Sequence, residues 1–274
     1  MLQQRYPSPS VQLPRTLSRP PFSQISKDAI LAIDSDLSNV PIHYIRRRLH
    51  LNSQLFQASL SAISNSHHIP STLQKYQLPT SISIPIRSTT SSYPTHLLAL
   101  SSSSSKSTNN NDQIPIFPVH AIVIATHCVN FPPIPPIPPS NSSSLTLPVL
   151  PLSIPSPAAF PILHTYLYTH SLYSLLSSLL PLPHPFTQSL STPHAHSTVK
   201  ETLASGPKLH QLSTYLCTHA IGNLQTLTSH ASHVTAFWRN CVALGVYVPE
   251  LWDAMDLAWE VVLGALNLAT AAAH

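Results

Sequence analysis

From Gln113 to Val199 the chain contains no Asp, Glu, Lys or Arg. A run of that length without charge cannot build an ordinary solvated surface. It has to be buried, or to pass through loops of Pro, Ser, Thr and His. It also offers no general acid or base other than histidine. Its one candidate membrane span, Phe160 to Leu182, is interrupted by Pro161, His164, Thr165, Thr169 and His170, whereas a spanning helix needs roughly 20 mostly apolar residues. The segment therefore reads as core, and no membrane association is expected.

Charge is sparse elsewhere too. Asp, Glu, Lys and Arg make up 8% of the 274 residues, and the net charge of +4 comes from basic residues concentrated before Asp112. The sequence pI is about 9.1, yet no stripe of interleaved arginines and aromatics appears, so direct nucleic-acid binding is not expected. The four glycines, Gly206, Gly222, Gly245 and Gly264, are too few and too scattered for a phosphate-cradling loop, which excludes Walker and Rossmann nucleotide sites. Cys128, Cys217 and Cys241 form no C-x-x-C pair. That favours a reducing compartment without structural zinc. Met1 to Phe22 lacks the roughly 7–15-residue apolar block of a signal peptide, so a nuclear or cytoplasmic location is expected.

The chain divides by composition. Residues 1–26, rich in Pro and Ser, read as a disordered tail. Residues 27–182 read as a mixed α/β core with flexible insertions near 101–113 and 132–144. Ile30, Ile33, Ile45 and Leu49, continuing toward Leu55, Leu60 and Ile63, recur at helical spacing. Leu78–Ile86 and Thr95–Leu100 read as strands. The apolar block Val119–Phe131 fits either a strand or a helix. Leu145–Leu150, with Pro148 inside it, is expected at a sheet edge. Helices are expected from Pro157 and from Leu172, and residues 183–199 read as a linker.

Residues 200–274 are expected to be helical. Leu209, Leu212, Leu216, Ala220, Leu224, Leu227, Ala231, Val234, Trp238, Cys241 and Leu244 step by three or four along one helix or a pair. Gly245 ends that pattern and Pro249 opens the next helix.

Several runs carry a family resemblance: Asp28–Leu37, Val40–Leu49, Phe117–Cys128, Phe160–Thr169 and the aromatic block Trp238–Ala265. From about Ser26 onward the chain resembles the fungal clampless proteins. The resemblance implies a non-catalytic regulator of clamp-cell formation and dikaryotic growth in basidiomycetes. A second similarity lies in the order of elements: two strands, His120 opening an apolar helix, a strand, then a helix ending Tyr166–Thr169. This is similar to the BTB/POZ fold, which implies self-association and partner docking. The fold class expected is α+β, a degenerate BTB/POZ-like core with a small sheet and a C-terminal helical region; the alternative is a mostly α-helical chain.

Candidate sites are few. His120 with His127, His230 with His233, and His67 with His68 fall at pair spacings, but a metal needs three or four convergent ligands. No metal, cofactor or small-molecule substrate is expected. Pro133 and Pro136 have P-x-x-P spacing in a preformed extended segment, a docking motif or a spacer. Arg46-Arg47-Arg48 reads as a solvated helix face. Trp238 and Trp252 are the candidate anchors for a protein partner, since rigid aromatic surfaces concentrate binding energy, whereas Trp259 reads as core. Two alternatives stay open: an enzyme in which His120 or His127 meets Cys128 or a hydroxyl, and a peripheral membrane protein.

Overall fold

A computed structural model describes residues 13–64, 69–85, 92–103, 113–137 and 144–272. Sixteen elements follow in order. Three helices come first: α1 (Lys27–Leu31), α2 (Ile42–Leu51) and α3 (Ser53–Ser64). Strands β1 (Thr72–Gln74), β2 (Ser81–Pro85), β3 (His96–Ser102) and β4 (Gln113–Val119) precede α4 (Ala121–His127) and β5 (Ser144–Ile154). The rest is helical: α5 (Phe160–Thr169), α6 (Leu172–Leu179), α7 (His184–Ser189), α8 (Ala195–Leu203), α9 (Gly206–His219), α10 (Leu224–Leu244) and α11 (Pro249–Ala272). The α+β class is as expected. Of the expected insertions, residues 104–112 and 138–143 lie outside the described residues.

The sheet runs β1-β4-β3-β5-β2, antiparallel except for the β3–β5 pair. Strand β3 is central and buried on both faces, so it reads as an unbroken apolar run, Leu97-Leu98-Ala99-Leu100. Leu98 and Leu100 face the helices, while Leu97 and Ala99 face a smaller cluster with Ile84, Ile114, Ile116 and Leu147.

Strand β5 corrects the expectation of an edge, because it lies between β3 and β2. The register explains how it holds two prolines. Val149 donates to Thr80 O, so the missing N–H of Pro148 points toward β3, just before the first β3 pair, Leu97↔Val149. The missing N–H of Pro151 points toward β2, beyond the last β2 pair, Ser81↔Pro148. Neither proline removes a ladder bond. Strand β4 was not expected at all, since Pro115 and Pro118 hide the alternation of buried Ile114 and Ile116.

The block after β4 resolves as a helix, α4, with five residues from Val123 to His127 buried. As expected, 160–182 carries two helices, which separate at His170, where the backbone takes a left-handed φ of 49°. The expected linker 183–199 is also corrected: α7 and the start of α8 occupy it, with Thr187, Leu190 and Val199 buried. Its Ser and Thr hydroxyls bond helix carbonyls, as Thr187 does to His184 O, which lets a polar sequence coil.

Capping residues punctuate the C-terminal helices. Ser205 caps α9 through Lys208 N and Asn223 caps α10 through Thr226 N. Gly245 closes α10 in the left-handed region at φ 64°, where an added Cβ would also meet Asn130 Nδ2 at 3.0 Å. Helices α9 and α11 approach most closely at Gly264, whose added Cβ would lie 2.3 Å from Ser213 Oγ. Helix α11 is long and apolar enough to cross a membrane by length and composition, and here it is the centre of the helical core, with Leu251, Met255, Trp259 and Val262 buried.

Two joints fasten this helical region to the sheet. Cys128 bridges Val246, and Val129 and Asn130 donate to Gly245 O and Leu244 O. Asn240, 0% exposed, donates from Nδ2 to Ser156 O at 2.6 Å and accepts from Ser156 N at 2.9 Å. A single apolar cluster runs from Leu98 and Ile154 to Trp259 and Ala265.

Candidate interaction surface

The three tryptophans sit on α10 and α11, and the chain's own N-terminal segment covers two of them, Trp238 and Trp259. Trp238 is half-buried and its indole donates to Ser18 O at 3.0 Å; the Trp259 indole donates to Pro14 O at 3.2 Å. Tyr247 donates to Pro21 O, Phe22 meets the Tyr247 ring edge-on at 5.4 Å, and Leu17 is buried in the main core. Arg19 completes the clasp with hydrogen-bonded ion pairs to Asp253 at 2.7 Å and to Asp256. Proline-rich chain has few N–H donors, so its carbonyls become the handles and the tryptophan N–H groups supply the donors.

The expectation of a disordered tail over 1–26 is thus corrected for residues 13–26, which form a strap; residues 1–12 lie outside the described residues. Trp252 is corrected as well. It is 3% exposed and its indole donates to Val246 O at 2.8 Å, so it offers no surface. Its place in the first turn of α11 turns it toward the α10–α11 link, which spacing alone does not reveal.

The proline run is extended over residues 131–137, with Pro133 and Pro136 exposed on one edge. Its other edge is anchored: Ile134 packs with Ile25, Ile30 and Ala125, and Pro135 O accepts from His96 Nε2 at 2.9 Å.

A surface that the sequence reading missed lies on α2 and α3. Tyr44 is 57% exposed, Leu51 67% and Leu55 60%. They follow one line along the helices, with Arg48 between the first two. No carboxylate lies within 4 Å of Arg48 among the described residues. The expectation that Leu55 joins the buried stripe fails because α2 stops at Leu51, where Asn52 leaves the helix at ψ 10°. The phase is reset, and Leu60 and Ile63 go inward without Leu55. The arginine triplet divides: Arg47 and Arg48 are solvated, whereas Arg46 is half-buried and donates from Nε to Thr126 O at 2.7 Å.

The buried histidines are tied into the fold. His120 Nε2 lies 3.0 Å from Ser92 O and donates to it; Nδ1 then accepts from Tyr168 O–H at 3.1 Å. His164 Nε2 donates to Pro118 O at 3.0 Å. His127 Nδ1 donates to Val123 O at 2.8 Å. Burial pushes His120 and His164 down to about 4 and His127 to about 3, so all three are neutral imidazoles at pH 7. Burial pushes the Cys128 thiol up to about 12, which keeps it protonated and weakly nucleophilic. His120 and His127 both lie within reach of hydroxyls, Ser59 at 3.4 Å and Thr126 at 3.1 Å. Those hydroxyls already donate to backbone carbonyls, Phe56 O and Ile122 O, at 2.7 Å each. Among the described residues no group of three or more His, Cys, Asp or Glu is placed to hold a metal ion.

Comparison with known proteins bears on the same two halves that the joints unite. Residues 20–155 match the Clampless protein 1 N-terminal domain, and residues 173–274 match the Clampless protein 1 C-terminal domain. The chain belongs to the clampless protein family. Two curated relatives, both Clampless protein 1 from Cryptococcus neoformans var. neoformans serotype D (strains JEC21 and B-3501A), are 28% identical over 138 residues. That alignment covers 50% of this chain and 24% of each relative, so the likeness spans about a quarter of their length. No solved structure matches. The family boundary between residues 155 and 173 falls beside Ser156, the residue that Asn240 holds, so the two matched domains meet at a shared core.

Proposed function

We propose that this clampless chain is a non-catalytic regulator of sexual development in a basidiomycete fungus. In this reading it supports clamp-cell formation and dikaryotic growth by binding protein partners of the mating-type programme in the nucleus or cytoplasm. The family match over both halves supports the developmental role. The observation that carries the interaction role is the α2–α3 face, where Tyr44, Leu51 and Leu55 are each more than half exposed around Arg48. Large apolar groups in a row beside an unpaired arginine suit an acidic amphipathic segment, because the partner's apolar stripe and carboxylates would both be matched. The tryptophans keep the scaffold closed instead of gripping the partner.

The BTB/POZ-like order of elements adds self-association to this reading. Affinity purification of the tagged protein from mated and unmated cells tests the proposal. A protein recovered only after mating, and lost with Leu51→Asp, supports it; identical recoveries from both states with either chain would defeat it.

A further inference from the structure

A cleft of about 730 Å3 lies between α2, the α5–α6 corner, the segment before α8 and the start of α11. This volume suits a small molecule. Its chemistry is cationic and polar. Arg46 and Arg47 form one wall, and neither has a carboxylate within 4 Å among the described residues. Helices α6, α8 and α11 all begin at the cleft, with Leu172, Ala195 and Pro249 in its walls. Three helix N-termini and two guanidinium groups add up to a positive potential aimed at one volume.

Three imidazoles step inward through that volume. His50 is exposed, its ring 5.3 Å from that of His170, which is 5.2 Å from the buried ring of His127. The left-handed conformation of His170, unusual for a residue with a side chain, places its ring in this column. His127 ends it. Its Nδ1 proton is committed to Val123 O, so Nε2 presents a bare lone pair, and that atom has no hydrogen-bond partner among the described residues. A buried acceptor left unpaired is costly and asks for a donor. Glu250 stands on the rim of the cleft, and His196 there is hydrogen-bonded to Asp253 at 2.8 Å.

A ligand for this site must be anionic toward the arginines and helix ends, yet must donate a proton to His127. A carboxylate or sulfate meets only the first condition. A phosphate group that retains one proton meets both, and Glu250 disfavours a more highly charged form. We propose that the cleft binds such a phosphate group, as the free ion or as a small phosphomonoester, with P–OH donating to His127 Nε2 and the anionic oxygens toward Arg46 and Arg47.

The test compares inorganic phosphate with sulfate at pH 6, by calorimetry and by imidazole resonances of the full chain. Phosphate is expected to bind about tenfold more tightly than sulfate, the worth of one buried hydrogen bond to a charged group, and to shift His127 and His170 saturably. Arg47→Ala, at an exposed position, weakens both anions without changing the melting temperature. His127→Phe equalises them. Ribose 5-phosphate, added in a parallel arm, separates the ester from the free ion by which binds more tightly. Equal affinity for sulfate and phosphate in the native chain, or no saturable shift with phosphate, would overturn the proposal, and both readings survive a failure of His127→Phe to fold.

Discussion

Asn240→Ala isolates the joint between the two family domains. The Asn240 amide makes two hydrogen bonds to the backbone of Ser156, at 2.6 and 2.9 Å, from a fully buried position on α10. Truncation leaves the Ser156 N–H unpaired, removes one of the two hydrogen bonds to its C=O, which still accepts from Ala159 N at 3.1 Å, and opens a small void. Each unpaired buried group costs about 1–3 kcal/mol. Ser156 itself is partly exposed, so water recovers some of that, and a net loss of about 2–4 kcal/mol is expected. For a chain of this size that corresponds to a fall of about 5–10 °C in melting temperature. Ser232→Ala on the same helix is the control; its hydroxyl bonds only its own helix, at Thr228 O, and a change within about 0.5 kcal/mol is expected. Thermal and denaturant unfolding, read by tryptophan fluorescence, measure both. A loss under about 1 kcal/mol for Asn240→Ala would show that the helical region does not depend on its grip on the sheet.

Two further outcomes follow from the same packing. Burial holds His120, His127, His164 and His170 at about 3 to 4, below the ordinary 6.5; the unfolded chain therefore takes up protons first as pH falls. Stability should be level above about pH 6.5 and decline toward pH 4, on the order of 1 kcal/mol per histidine per pH unit; a melting temperature unchanged from pH 7 to 5 would contradict this. Gly264→Ala gains helix propensity, yet its methyl would overlap Ser213. A net loss of about 1–2 kcal/mol is expected, with most of it recovered in Gly264→Ala/Ser213→Gly; stabilisation by the single change would refute the close approach.

The helical half was legible because its punctuation is local. Gly245 and Pro249 mark their boundaries in any context, and the apolar stripe of α10 has the right period. The sheet was less legible because its prolines are tolerated only through register. Pro148 and Pro151 fall where no ladder partner waits, and nothing local announces that. The strap was hidden for a related reason: Pro14, Ser18 and Pro21 look like a tail until Trp259, Trp238 and Tyr247, 220 or more residues away, supply the donors. Trp252 was misplaced for a local reason: in the first turn of α11 it faces the α10–α11 link, where Val246 O accepts from its indole. The α2–α3 face was missed because Asn52 breaks the helix, which turns Leu55 from presumed core to surface.

The central claim, that the chain works by gripping a partner through Tyr44, Leu51 and Leu55, is tested most directly by complementation. A strain lacking the gene receives either the native chain or Leu51→Asp/Leu55→Asp, two changes at exposed positions that leave the melting temperature within about 2 °C. The native chain restores clamp cells and dikaryotic growth, and the account predicts that the folded double variant does not. Full restoration by that variant would contradict it.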